Sequence, residues 1–155
     1  MSHHDITSFS DPGSFQTALS PLREATFTGR DLVCDPSGCM TLTLAVPAVP
    51  PRRLARRVFH KVVVTVRGAR NYRQSLTAGP DAVYVLDRTE VGRGGHEIAF
   101  YFRPGDRAVM DVDGVVGSVR HTGEAVAPQV RPAIRNPLAI TGRSSGLLAR
   151  IFGRV

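Results

Sequence analysis

Tryptophan is absent from this sequence, lysine occurs once, at Lys61, and only 6% of the residues are Phe, Trp or Tyr. Surfaces that hold single-stranded nucleic acid by stacking interleave aromatic rings with cations. Here Tyr72 stands alone beside the main basic run, so that binding mode is poorly provided for. No stretch of about 18 apolar residues occurs, which excludes a membrane-spanning helix. The opening residues, MSHHDITSFSDPGS, lack a charged stretch followed by an apolar one and do not read as a signal peptide. The expected compartment is the cytoplasm. Two cysteines, Cys34 and Cys39, are too few for the disulfide framework of a small secreted domain. No Walker loop, dinucleotide-binding glycine pattern, nucleophile elbow or HExxH is present. The expectation is a protein that binds rather than catalyses, with no catalytic residues, metal or cofactor implied.

What is present points to strands. The 155 residues are about one domain's worth, and 42% of them are hydrophobic, enough for a core. Fifteen Gly and 11 Pro are more than a helical bundle tolerates, since both disfavour helix interiors. The formal net charge is +7, and every basic residue but Lys61 is Arg. A basic balance favours anionic partners, although so uniform a use of Arg is also what a GC-rich genome produces. The charge is unevenly placed. Residues 51–80 carry eight basic and no acidic side chains, and residues 125–155 carry five Arg and no acid. The two other segments, 1–50 and 81–124, are net acidic.

Along the chain, residues 1–25 read as an N-terminal arm, with a turn at Asp11-Pro12-Gly13 and room for one helical turn within 14–22. Residues 26–125 read as one all-β domain. A hairpin is expected around Cys34-Asp35-Pro36-Ser37-Gly38-Cys39, because Asp at the first position of a type I turn, Pro at the second and Gly at the fourth satisfy its geometry. Pro47, Pro50 and Pro51 form a stiff connector. Further strands are expected over 58–67, 73–77, 82–87, 96–103, 107–113 and 115–121, with 73–77 and 82–87 paired to each other. A turn is expected at 70–73 and loops after Asp87 and at 92–95. Seven or eight short antiparallel strands at this spacing suggest a small closed β-barrel or a β-sandwich. Residues 126–155 read as a basic, proline-containing tail ending in a short helix over 146–155.

Two elements carry the leading functional expectation. The first is the run Arg52-Arg53-Leu54-Ala55-Arg56-Arg57, in which Arg52 and Arg56, or Arg53 and Arg57, have RxxxR spacing. The second is Asp87-Arg88-Thr89-Glu90-Val91-Gly92. Together they resemble the PilZ family of cyclic-di-GMP receptors, which carries RxxxR just before its first barrel strand and [D/N]xSxxG in a loop about two strands later. Asp87, Thr89 and Gly92 match the second element, with Thr in the place of Ser. The resemblance covers residues 51–122. The interval from Arg57 to Asp87 is longer than the family pattern, and no aromatic residue closes the domain after Arg120. The resemblance implies a ligand site made of Arg52, Arg53, Arg56, Arg57, Asp87, Thr89 and Gly92. Arg can pair bidentately with phosphate or read a guanine edge, a carboxylate can accept from a guanine N–H, and Gly lets backbone approach closely.

Three other readings stay open. Arms flanking a β-core suit a structural subunit of a large assembly, such as a virion decoration, connector or tail component, with a homo-oligomer or protein partner bound through those arms. The basic segment 51–73 suits a nucleic-acid-binding barrel. The blandest reading is a solvated basic linker and an ordinary turn. Cys34 and Cys39 fit either structural thiols or a hairpin disulfide. Asp111 and Asp113 share one face of a strand and border a turn. His60, His96 and His121 fall on separate strands.

Overall fold

The computed structural model describes residues 5–47 and 58–126. The chain runs β1 (Asp5–Phe9), α1 (Pro12–Leu19), β2 (Thr26–Thr28), β3 (Leu32–Cys34), β4 (Met40–Pro47), β5 (Phe59–Val66), β6 (Arg70–Ser75), β7 (Val83–Gly92), β8 (Glu97–Arg103), β9 (Asp106–Asp111) and β10 (Gly117–Val126). All pairings are antiparallel. The fold is all-β, with ten strands among the described residues where seven or eight were expected. The strand order is β1-β10-β5-β4-β2-β7-β8-β9-β6, with β3 also on β4, so the sheet has two edges and is not a closed ring. Arg70 and Arg73, together with a register irregularity between them, blunt the β6 edge.

Period-two patterning explains the core. Met40, Leu42 and Leu44 of β4, Val62, Val64 and Val66 of β5, and Ile98, Phe100 and Phe102 of β8 all turn inward and are buried. β2 and β3 are one strand broken by a 3-10 turn at Gly29–Asp31; both lie along the same side of β4. The expected hairpin is present. Gly38 N donates to the Asp35 carbonyl at 3.0 Å, and the Asp35 carboxylate accepts from Ser37 N, Ser37 Oγ and Cys39 N at 2.9, 2.6 and 3.0 Å.

Four local expectations are corrected. The N-terminal arm is not an arm: residues 5–25 belong to the body. β1 pairs with β10, and Phe9, Phe15, Leu19, Leu22 and Ala25 are all core. Asp11-Pro12-Gly13-Ser14 is the start of α1 rather than a free turn, because Ser14 N donates to Asp11 Oδ1 at 2.7 Å and Asp11 N donates to Ser14 Oγ at 3.2 Å, closing a capping box. The turn expected at 70–73 is the edge strand β6, which pairs with β9 and not with β7. The chain between them is held instead by Tyr84, whose hydroxyl accepts from Ala78 N at 3.0 Å and donates to the Gly79 carbonyl at 3.1 Å. Finally, the loop expected after Asp87 is the second half of β7, paired through to Gly92 with β8. The tail beyond Val126 and its short helix lie outside the described residues.

A buried carboxylate at the start of β9 holds the beginning of the chain between β6 and β7. Asp106 is 4% exposed and accepts from Ser75 Oγ, Thr77 N and Thr77 Oγ1, each at 3.2 Å. Asp106→Ala leaves those donors without a partner and is expected to cost about 1–3 kcal/mol, read from chemical denaturation. An unchanged midpoint would show that the clasp contributes nothing.

Candidate binding face

The outward side of β7, β8, β9 and β6 carries the densest exposed chemistry. Cross-strand register puts Arg88 opposite Tyr101, Tyr101 opposite Arg107, and Arg107 opposite Ser75. The neighbouring row is Glu90, Ala99, Val109 and Arg73. Small Ala99 and half-buried Val109 form the floor of a depression of about 340 Å³, rimmed by Arg73, Glu97, Tyr101 and Arg107. The Arg88 guanidinium lies 4.1 Å from the Tyr101 ring centroid, inside the range of a cation–π contact. Glu90 accepts from Arg88 Nε at 2.9 Å and raises the Arg88 pKa above its usual value. Arg73 is paired with Glu97 at 3.6 Å. Arg107 has no carboxylate partner among the described residues, which leaves its guanidinium available to an anion.

Of the sequence-predicted site residues, Asp87 is brought into this region. It is the extra residue of a bulge between Leu86 and Arg88. Its carbonyl accepts from Arg23 Nε at 2.8 Å, and its carboxylate lies 3.9 Å from Arg23 and 3.5 Å from Arg88. Thr89 faces the other way, towards α1, where its hydroxyl meets Gln16 Oε1 at 3.1 Å. There it lines a cleft of about 180 Å³ with Gln16, Ser20, Arg23 and Arg88. Gly92 lies opposite Glu97 at the far end of β7, so the structure does not gather Asp87, Thr89 and Gly92 around one point.

Arg52, Arg53, Arg56 and Arg57 lie outside the described residues, but the anchors of their segment are placed. Pro47 pairs with Phe59. Ala45, two residues before Pro47, is in register with Thr26, and Thr26 with Val85, two residues before Asp87. β4 and β7 flank β2 and run in the same direction. Pro47, the last described residue before the basic segment, therefore lies level with Asp87 and two strand spacings away, about 10 Å. Glu24 bridges to Arg103 at this end.

The remaining candidates are accounted for locally. Cys34 and Cys39 are free thiols. Asp111 accepts from Asn71 Nδ2 at 2.8 Å and Asp113 from Arg70 at 2.8 Å. The Asn71 hydrogen bond, more than the surrounding Arg residues, lowers the Asp111 pKa. Two carboxylates sharing a proton would show the opposite. No helix among the described residues is long and apolar enough to cross a membrane.

Sequence reasoning missed Arg88, Tyr101, Arg107 and Arg73 as a group. The alternation of Tyr101 and Arg107 with buried neighbours marks them as outward-facing, but only the register makes them adjacent. No protein-family model matches this chain, and neither a curated protein nor a solved structure does.

Proposed function

We propose that this chain is a non-catalytic binding module for an anionic ligand of the cyclic-dinucleotide class, with cyclic-di-GMP as the first candidate. The observation that carries the reading is the Arg88–Tyr101–Arg107 row, lying beside Asp87 at the end of the sheet that holds Pro47, the last described residue before Arg52–Arg57. The parts have complementary chemistry. A purine stacks on the Arg88–Tyr101 pair. Arg107 and Arg73 offer guanidinium to phosphate. Asp87 accepts from a guanine N–H, and the basic segment closes over the second phosphate. Engagement of a protein partner by the ordered segment would follow. The second reading, a subunit of a large assembly, now draws on fewer features, since residues 5–25 pack into their own body and leave the basic segment 127–155 as its motive.

Calorimetry of the full chain with cyclic-di-GMP tests the proposal. A micromolar or tighter dissociation constant is expected. Arg107→Ala, Asp87→Ala and Arg53→Ala should each weaken it at least about tenfold, equivalent to about 1.4 kcal/mol, with unchanged melting temperature for the exposed Arg107 variant. No heat from a folded sample ends the proposal. Binding of arbitrary oligonucleotides with a steep salt dependence would replace it with the nucleic-acid reading.

A further inference from the structure

β5 and β10 meet in two stretches. Val62 to Val66 pair with His121 to Gly117, and Phe59 and His60 pair with Val126 and Ala125. Between the stretches β10 bulges, and Thr122 stitches the bulge to β5: its hydroxyl donates to the Lys61 carbonyl and accepts from Glu124 N, each at 3.0 Å. His60 and His121 stand on either side of this joint. His60 shares the inward alternation of Val62 and Val64, and His121 that of Val119, so both imidazoles lie on the core side of the sheet. His60 Nε2 is 3.4 Å from His121 Nδ1, and both residues are partly buried.

What this contact does depends on how many protons the pair carries. A neutral imidazole has one N–H and one bare nitrogen, whereas an imidazolium has two N–H groups. While one ring is neutral, its bare nitrogen can accept from the other. With both rings charged, two donors and two positive charges face each other and neither nitrogen accepts. Little in the surroundings offsets that. Val46 of β4, in register with His60, is apolar. Lys61 and Arg120 alternate to the opposite face, and Lys61 is paired with Glu124 at 3.1 Å. Asp5 of β1 is in register with His121 but exposed, so water and salt screen its charge. Burial, and after it the charge of His121, lowers the His60 pKa below its usual value.

We infer that the His60–His121 contact is a pH-sensitive clasp, which holds the rung beyond the bulge closed at neutral pH and releases it when both rings are protonated. That rung is the weaker part of the ladder, with two register pairs against the five on the other side of the bulge. Phe59 within it is in register with Val126 on one side and Pro47 on the other. Release therefore acts where residues 48–57 and 127–155 join the described body. The sign follows from the direction of the His60 shift. The unfolded chain takes up this proton first, so the stabilisation is complete above the ordinary histidine value of 6.5 and is lost as pH falls from there through the lowered value. The clasp is independent of the nucleotide reading, because the imidazoles lie on β5 and β10 and the Arg88–Tyr101–Arg107 row on β7 to β9.

The test follows the full chain by NMR from about pH 8 to about pH 5, the range in which histidine titrates, reading ring signals and amide hydrogen exchange corrected for its intrinsic pH dependence. The His60 ring is expected to titrate below its ordinary value, in a step coupled to His121. As it does, amides of Phe59, His60, Ala125 and Val126 should exchange at least about tenfold faster, while those of Val64 and Val119 keep their protection. His60→Gln and His121→Gln each remove one of the two charges, and each should abolish the acid-induced opening. Should a Gln variant fail to fold, the wild-type titration and exchange decide. An ordinary or raised His60 pKa overturns the inference, as does unchanged exchange in the rung once both rings are protonated. Equal loss of protection at Val64 and Val119 would mean general acid unfolding and overturns it too, as would opening that persists in either variant.

Discussion

Phe15→Ala is expected to destabilise the protein by about 3–5 kcal/mol, the range for truncating a buried aromatic. Phe15 is fully buried. Its ring meets Phe9 edge-on at 5.0 Å and Phe100 edge-on at 6.0 Å. It therefore joins three elements, β1, α1 and β8, and the vacated volume borders rings that cannot collapse into it without moving backbone. For a domain of this size the loss corresponds to a fall in melting temperature on the order of 10 °C. Ile6→Ala, on the same N-terminal segment but 59% exposed, is the control and should change stability little. A melting temperature for Phe15→Ala within about 2 °C of wild type would mean that residues 5–25 do not contribute to the core as described.

Gly117→Ala is expected to act on the same seam from the other side. Gly117 sits between Phe9 of β1 and Val66 of β5 in register. A Cβ there would lie 1.9 Å from the Thr65 carbonyl oxygen and 2.7 Å from Phe9 Cζ. The objection to a side chain at this position is close approach, not backbone conformation. Relief requires both that β5 move away and that the Phe9 ring leave its place, and the second detaches β1. Overpacking alone costs about 1–3 kcal/mol, occasionally more. With part of the Phe9 burial also lost, the expected total is about 4 kcal/mol, read from urea denaturation. Gly114→Ala is the comparison, since its Cβ would meet only a Val116 methyl at 3.9 Å. Equal midpoints for the two variants would refute the packing argument.

These two residues show where local reading stops. Asp11-Pro12-Gly13-Ser14 is equally a turn and a helix N-terminus when taken alone. Phe9, Phe15 and Leu19 decide for the helix by burying themselves against strands nearly a hundred residues away. The hairpin at Asp35–Cys39 needed no such help, because its turn chemistry is complete within five residues. β7 gave the opposite outcome from the loop expected after Asp87. Arg88, Thr89, Glu90 and Val91 alternate like a strand, and pairing with β8 extends the ladder through a short match to a loop motif. Asp87 and Thr89 project in different directions from that strand, and Gly92 lies at its far end.

Composition and period-two alternation, which act within a few residues, determined by themselves that this chain is all-β and that strands run near 40–46, 58–67 and 96–103. Strand order and register were decided only by tertiary structure. They depend on which apolar faces bury one another best, a sum over the whole core that no short window contains. That sum moved the N-terminal segment into the body, aligned Arg88 with Tyr101 and Arg107, and set His60 against His121.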